Sequence, residues 1–182
     1  MNKILKLTLI LLLVCAVTAG VLGAVNEITK DRIAEIEAMK TKEAYAAVLP
    51  ADDYIEIEFD KSKPEFKNID TIAAAADGSG WVVKTTFSGA QGNITMAVGI
   101  SSEKTCTGIS IIEHSETSGL GANAASPAEV GVKFRAQFVG ADENVALKKS
   151  GGEIDALSGA TITSDSVTTA VANAIRAVIA IG

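Results

Sequence analysis

Residues Asp155-Ala156-Leu157-Ser158-Gly159-Ala160-Thr161, followed by Ile162-Thr163-Ser164, crowd small side chains and hydroxyls ahead of a strongly patterned segment. From Val167 the apolar positions run Val167, Ala170, Val171, Ala174, Ile175, Val178 and Ile179. That spacing draws a stripe along one face of a helix. Ser164 or Ser166 is suited to cap it, and Asp165 would stand in its first turn, where negative charge is favoured. Ser158, Thr161 and Thr163 then fall at or just before a helix N-terminus. Backbone N–H groups there lack intrahelical partners and make a ready site for a phosphate. Gly159 lets a bulky group approach the backbone closely. Local chemistry reads this stretch as a capped helix start with a tight turn, and does not choose among the three hydroxyls.

The chain as a whole limits what such a site can hold. It has 182 residues and a formal net charge of −6, with no basic stripe interleaved with aromatics, so a nucleic-acid partner is not expected. It carries two cysteines and one histidine. Cys15 lies inside an apolar run and Cys106 far from it, so neither a disulfide nor a metal-ligand cluster is expected. Redox chemistry in this chain requires an organic cofactor held by other means.

Toward the N-terminus, Lys3 and Lys6 precede a run that stays uncharged from Leu7 to Asn26. Such a run is long enough to cross a bilayer as a helix of roughly 20 residues. A cleaved signal peptide competes with this reading, but Leu22-Gly23-Ala24 is a poor small-x-small site, and Cys15 lies mid-run rather than at a lipoprotein junction. The expectation is an uncleaved single-pass anchor over residues 1–26. Lys3 and Lys6 mark the cytoplasmic flank, which leaves the soluble part outside the cell. Residues 27–50 are rich in helix formers, with Ile28, Ile33, Ile36 and Met39 near the helical period, and read as a stalk ended by Pro50.

The remainder, residues 51–182, reads as one α+β domain: an antiparallel sheet packed by helices. Ile55, Ile57 and Phe59 alternate with Tyr54, Glu56 and Glu58, the pattern of a half-buried strand. A meander follows over 71–76, 81–87 and the alternation from Ile94 to Ile100, with a fourth strand through Ile109 and Ile111 to His114. One face of this sheet is expected against helices and the other partly wet. Trp81 is read as a packing residue. Ser126-Pro127-Ala128-Glu129 has the form of a capping box opening a helix to about Phe138, with Val130, Phe134 and Phe138 on one face. Residues 139–147 and 154–155 are expected to add short strands.

Between sheet and helix lies Glu113-His114-Ser115-Glu116-Thr117-Ser118-Gly119-Leu120-Gly121, a polar loop whose two glycines signal turns. Alone, His114 reads as a strand-end residue. Two stretches nevertheless resemble the FMN-binding domain family. Residues 155–161 match its Asp-x-x-Ser/Thr-Gly-Ala-Thr signature at every defined position. Residues 114–121 match its His-x-Glu-Thr-Pro-Gly-Leu-Gly loop except that Ser118 replaces proline, which removes some rigidity.

Together with the apolar N-terminal run, the ensemble is similar to the G subunits of Rnf-type ion-translocating ferredoxin:NAD oxidoreductases. It is related to the C subunits of sodium-translocating NADH:quinone reductases. The resemblance implies FMN joined through its phosphate to the hydroxyl of Thr161, attached by an Mg²⁺-dependent flavin transferase using FAD. It implies flavin-site roles for Ser158, Gly159 and Ala160, and for Glu116, Thr117, Leu120 and Gly121, with Leu120 packing on the ring. It also implies electron relay with the other membrane subunits of such a complex, and no acid or base catalyst and no metal ligand in this chain. The alternative is a related membrane-anchored flavoprotein serving a quinone reductase or extracellular electron transfer.

Overall fold

The computed structural model describes residues 3–182. They divide into two compact units, with the boundary between Lys40 and Thr41. The first consists of helix α1, Lys3–Val48, up to that boundary. Its apolar residues from Ile4 to Val25 are exposed along the helix, and the segment is long and apolar enough to cross a membrane. Thr8, Thr18 and Thr29 donate their hydroxyls to the carbonyls of Ile4, Val14 and Val25, one turn back. Thr8 and Thr18 can therefore sit in an apolar medium with their hydroxyls satisfied.

The second unit starts at Thr41, ahead of the boundary at 51 that composition suggests. Its centre is a five-stranded antiparallel meander, β1 (Tyr54–Ile57), β2 (Ile69–Ala75), β3 (Gly80–Ser88), β4 (Asn93–Ser101) and β5 (Cys106–His114), in that spatial order. Ile72, Val83, Val98 and Ile109 face one another across four strands and form one buried row. Against it packs α3, Thr161–Ile181, through Val167, Val171, Ile175 and Val178, all without exposure. Burying each of these side chains contributes about 1.5–3 kcal/mol before entropy is charged. Phe134 and Phe138 complete this core at a ring separation of 5.4 Å.

The opposite face of the sheet is not left wet. Ala44, Tyr45, Val48 and Leu49, at and just after the end of α1, pack there on Ala73, Ala75, Val82 and Ala97. Small residues allow the close approach: a Cβ on Gly99 would stand 2.4 Å from the Val48 carbonyl oxygen. Thr107 donates its hydroxyl to that same oxygen at 2.5 Å.

Other local expectations change as well. Ile55 and Ile57 share a face of β1, yet only Ile57 reaches the core, and Ile55 at the sheet edge is 60% exposed. Ser126 accepts the Ala128 N–H at 3.1 Å in a tight turn instead of capping the helix. Helix α2 spans only Glu129–Ala136, and Glu129 pairs with Lys133 rather than closing a box. Val130 is exposed, so Phe134 carries that helix's apolar side, with Phe138 buried just beyond its end. The strands expected at 139–147 and 154–155 reduce to one isolated parallel bridge, Leu147 to Ile154, around a 3₁₀ turn closed by Gly151 at φ +86°. Two buried side chains serve there as separate pegs, and the intervening glycines leave no regular pairing. Trp81 packs against the main core, with the Lys104 ammonium 3.7 Å above its ring.

Candidate functional site

Helix α3 begins at Thr161, six residues earlier than its apolar stripe. The residue preceding it, Ala160, offers no side-chain cap, so the amides of the first turn stay available to an acceptor from outside. Neither Ser164 nor Ser166 caps the helix. Ser164 is buried inside it, accepts the Leu157 N–H at 2.9 Å and donates to the Ala160 carbonyl at 2.9 Å. These bonds, with Ala160 N–H to Leu157 carbonyl at 3.0 Å, fix a tight turn in which Gly159 adopts φ +70°. Asp165 consequently lies beyond the position that sequence patterning gives it. Asp155, upstream, is held by reciprocal bonds to the Gln137 amide, and its carboxylate pairs with exposed Lys148 at 2.7 Å.

The three hydroxyls that the sequence leaves equivalent occupy different environments. Thr161 is exposed at the head of the helix. Thr163 is 1% exposed and does not cap; its hydroxyl donates to Glu116 at 2.5 Å. Ser158 is exposed, outside the cleft described next.

That cleft, of about 360 Å³, has Gly159, Ala160, Thr161, Ile162 and Thr163 on one side and Glu116, Thr117, Leu120 and Gly121 on the other. Residues from the 114–121 and 155–161 stretches, far apart in sequence, therefore meet around one opening. Ala90 and Gln91, in the turn between β3 and β4, complete the wall. Leu120 is 44% exposed there, an apolar side chain without full cover. A depression of similar size beside Gln137, Asp142 and Glu153 contains none of the residues expected at the site.

Glu116 ties the walls together. One carboxylate oxygen accepts the amides of Ala90 at 2.9 Å and Gln91 at 3.1 Å, and the other accepts the Thr163 hydroxyl. Burial acts to raise its pKa, but these three donors together, with His114 nearby, hold it below the usual glutamate range. Room for the carboxylate depends on two glycines. A Cβ at Gly89 would stand 2.4 Å from one carboxylate oxygen, and a Cβ at Gly121 would stand 2.3 Å from the other. Sequence reading overlooks Ala90, Gln91 and Ile162, and it names Thr163 only as a candidate hydroxyl, not as the partner of Glu116. The local signal for the turn is the pair Gly89 and Gly92 that brackets it.

The arrangement fits a phosphate-bearing flavin. An exposed hydroxyl and open helix amides suit the phosphate, Leu120 offers apolar contact to a ring, and the one buried charge in the wall is already satisfied within the protein.

Residues 89–176 match the FMN-binding domain family, and residues 1–48 match the RnfG N-terminal region. The G subunit of the ion-translocating oxidoreductase complex of Methanosarcina acetivorans is 34% identical, over 96% of this chain and 94% of its own. The G subunit of the Na⁺-translocating ferredoxin:NAD⁺ oxidoreductase complex of Acetobacterium woodii is 35% identical, over 94% and 89%. The G subunit of the Escherichia coli K12 ion-translocating oxidoreductase complex is 32% identical, over 90% and 85%. Among solved structures, the C subunit of the Na⁺-translocating NADH-quinone reductase of Parabacteroides distasonis shares the fold. Its TM-score is 0.51 at 20% identity, covering 78% of this chain and 81% of that one.

Proposed function

The chain belongs to the family of G subunits of ion-translocating oxidoreductase complexes, and on that premise we propose that it relays electrons through FMN joined covalently to Thr161. Bound FMN supplies both one- and two-electron transfer, which links carriers of different electron count. The observation that carries the reading is the exposed Thr161 hydroxyl, at an uncapped helix start, in the cleft that residues 116–121 also line.

The chain's own residues hold and shield the group. Thr161 Oγ1 would bond to the FMN phosphorus of FAD as the phosphoanhydride bond to AMP breaks, with AMP leaving and the hydroxyl proton passing to solvent, a step run by a flavin transferase. The first-turn amides of α3 would hold the phosphate. Leu120 would give apolar contact to the ring, and Thr117 would serve its polar edge. Gly159 leaves room between the walls beside Leu120, and Gly121 leaves room for the Glu116 carboxylate. No side chain of this protein acts as acid or base in the electron transfer. The N-terminal segment, residues 1–26, forms an uncleaved anchor that holds the domain on the outer side of the membrane, beside the other membrane subunits of the complex. A covalent tether suits that location, because it keeps the cofactor's effective concentration high where a dissociated one would be diluted away.

Co-expression with a flavin transferase tests the attachment. The denatured wild-type band should fluoresce, Thr161→Val should not, and peptide mass spectrometry should map an FMN-phosphoryl adduct to Thr161. An adduct on Ser158 or Thr163 would refute the assignment.

A further inference from the structure

Glu116 is a carboxylate inside the wall of the cleft, 8% exposed, in a position where a flavin-contacting residue is expected. Both of its oxygens are already engaged by protein donors from two separate segments: the 90–91 turn and the first turn of α3. Thr163 lies two residues beyond Thr161 in that same helical turn. Glu116 itself precedes Thr117 and Leu120, which form the opposite wall. One side chain therefore fixes the segment bearing the acceptor hydroxyl relative to the segment that faces it. Gly89 and Gly121 exclude side chains from the volume this connection occupies.

We infer that Glu116 is a positioning residue, which clamps the head of α3 through Thr163 and so presents the Thr161 hydroxyl for modification. The inference rests on the proposed attachment at Thr161. The clamp acts through geometry rather than through its charge. A glutamine at 116 keeps it: the amide oxygen accepts from Ala90 and Gln91, and the amide nitrogen donates to the Thr163 hydroxyl, which reverses its role. Alanine removes all three bonds. Thr163→Ser preserves the donor, whereas Thr163→Val leaves one oxygen of a buried carboxylate without a partner.

The test uses the full-length chain in detergent, free of flavin, incubated with purified flavin transferase, FAD and Mg²⁺. The readout is the rate of adduct formation per folded molecule, well below the melting temperature. Glu116→Ala and Thr163→Val should each slow attachment by about 10- to 100-fold, the scale expected when a reacting group is displaced by an ångström or less. Glu116→Gln and Thr163→Ser should stay near the wild-type rate. The double variant Glu116→Ala/Thr163→Val should be no slower than Glu116→Ala, because both remove the same connection.

Attachment at the wild-type rate in Glu116→Ala or Thr163→Val would overturn the inference. So would losses that multiply in the double variant, or a Glu116→Gln protein as slow as the alanine variant, which would make charge the operative property. If Glu116→Ala does not fold, the Thr163→Val and Thr163→Ser pair decides by the same criteria. Absence of a Thr161 adduct in the wild type would remove the attachment reading and this inference with it. A normal wild-type adduct insensitive to Glu116 and Thr163 would remove the inference alone.

Discussion

Leu120 Cδ2 lies only 2.9 Å from the point where a Cβ on Gly159 would stand. The two walls of the cleft thus come close at Gly159, and its backbone, at φ +70°, independently favours glycine. Gly159→Ala should cost about 1–2 kcal/mol from the left-handed conformation alone. Because the atom it meets is the flexible end of Leu120, the contact is relieved by moving that side chain. Urea unfolding should show a lower midpoint with an unchanged slope, and the flavin absorption of the loaded protein should shift as Leu120 moves.

Leu120 is 44% exposed, so truncating it removes less buried surface than truncating a core leucine would. Leu120→Ala should lower the melting temperature only modestly and keep the covalent flavin of the wild type, but alter the flavin's spectrum or potential. A folded variant that carries no flavin would show that residues 116–121 serve attachment and not the ring.

Glu116 contributes an acid-dependent part of stability. Its folded-state pKa lies below the unfolded value, with burial opposed and outweighed by the bonds from Thr163, Gln91 and Ala90. The ionised carboxylate therefore stabilises the fold above the ordinary glutamate range. That contribution is lost as the pH falls through the lower folded value. Melting temperatures measured down through the acid range should fall in the wild type, and Glu116→Gln should remove this component of the fall.

Thr107 locks the end of α1 onto the sheet through the Val48 carbonyl. Thr107→Val should cost about 1–2 kcal/mol by leaving that acceptor unpaired. Gly99→Ala should also destabilise, since its Cβ would stand 2.3 Å from the Thr107 hydroxyl and 2.4 Å from the Val48 oxygen. Both variants should expose residues 41–49 to limited proteolysis faster than the wild type.

The apolar part of α1 should retain the full-length chain in membranes washed with carbonate, and protease added outside spheroplasts should release the domain. Recovery of a mature protein that lacks the first 25 residues would exclude the uncleaved anchor.

An unbroken apolar run made the membrane-length helix legible in the chain, and periodicity did the same for the meander and the stripe of α3, which depend on local alternation between apolar and polar residues. The two motif stretches were legible locally only as a helix start with a tight turn and as a polar turn loop, and their place at one site came from the resemblance to the FMN-binding domain family. The position at which α3 starts was not legible, since Ser164 suits a cap by type but is drawn inside by the Leu157–Ala160 turn. Nor was the cover on the second sheet face, which comes from Ala44 to Leu49, residues whose small or amphipathic character gives no direction. The distinction between Thr161 and Thr163 also required the fold. Identical side chains two positions apart differ because one faces open solvent and the other meets Glu116 across 47 residues of chain. Local pattern can state which groups are able to bond, but burial and long-range proximity select the partner, because a buried hydroxyl and a buried carboxylate each need one.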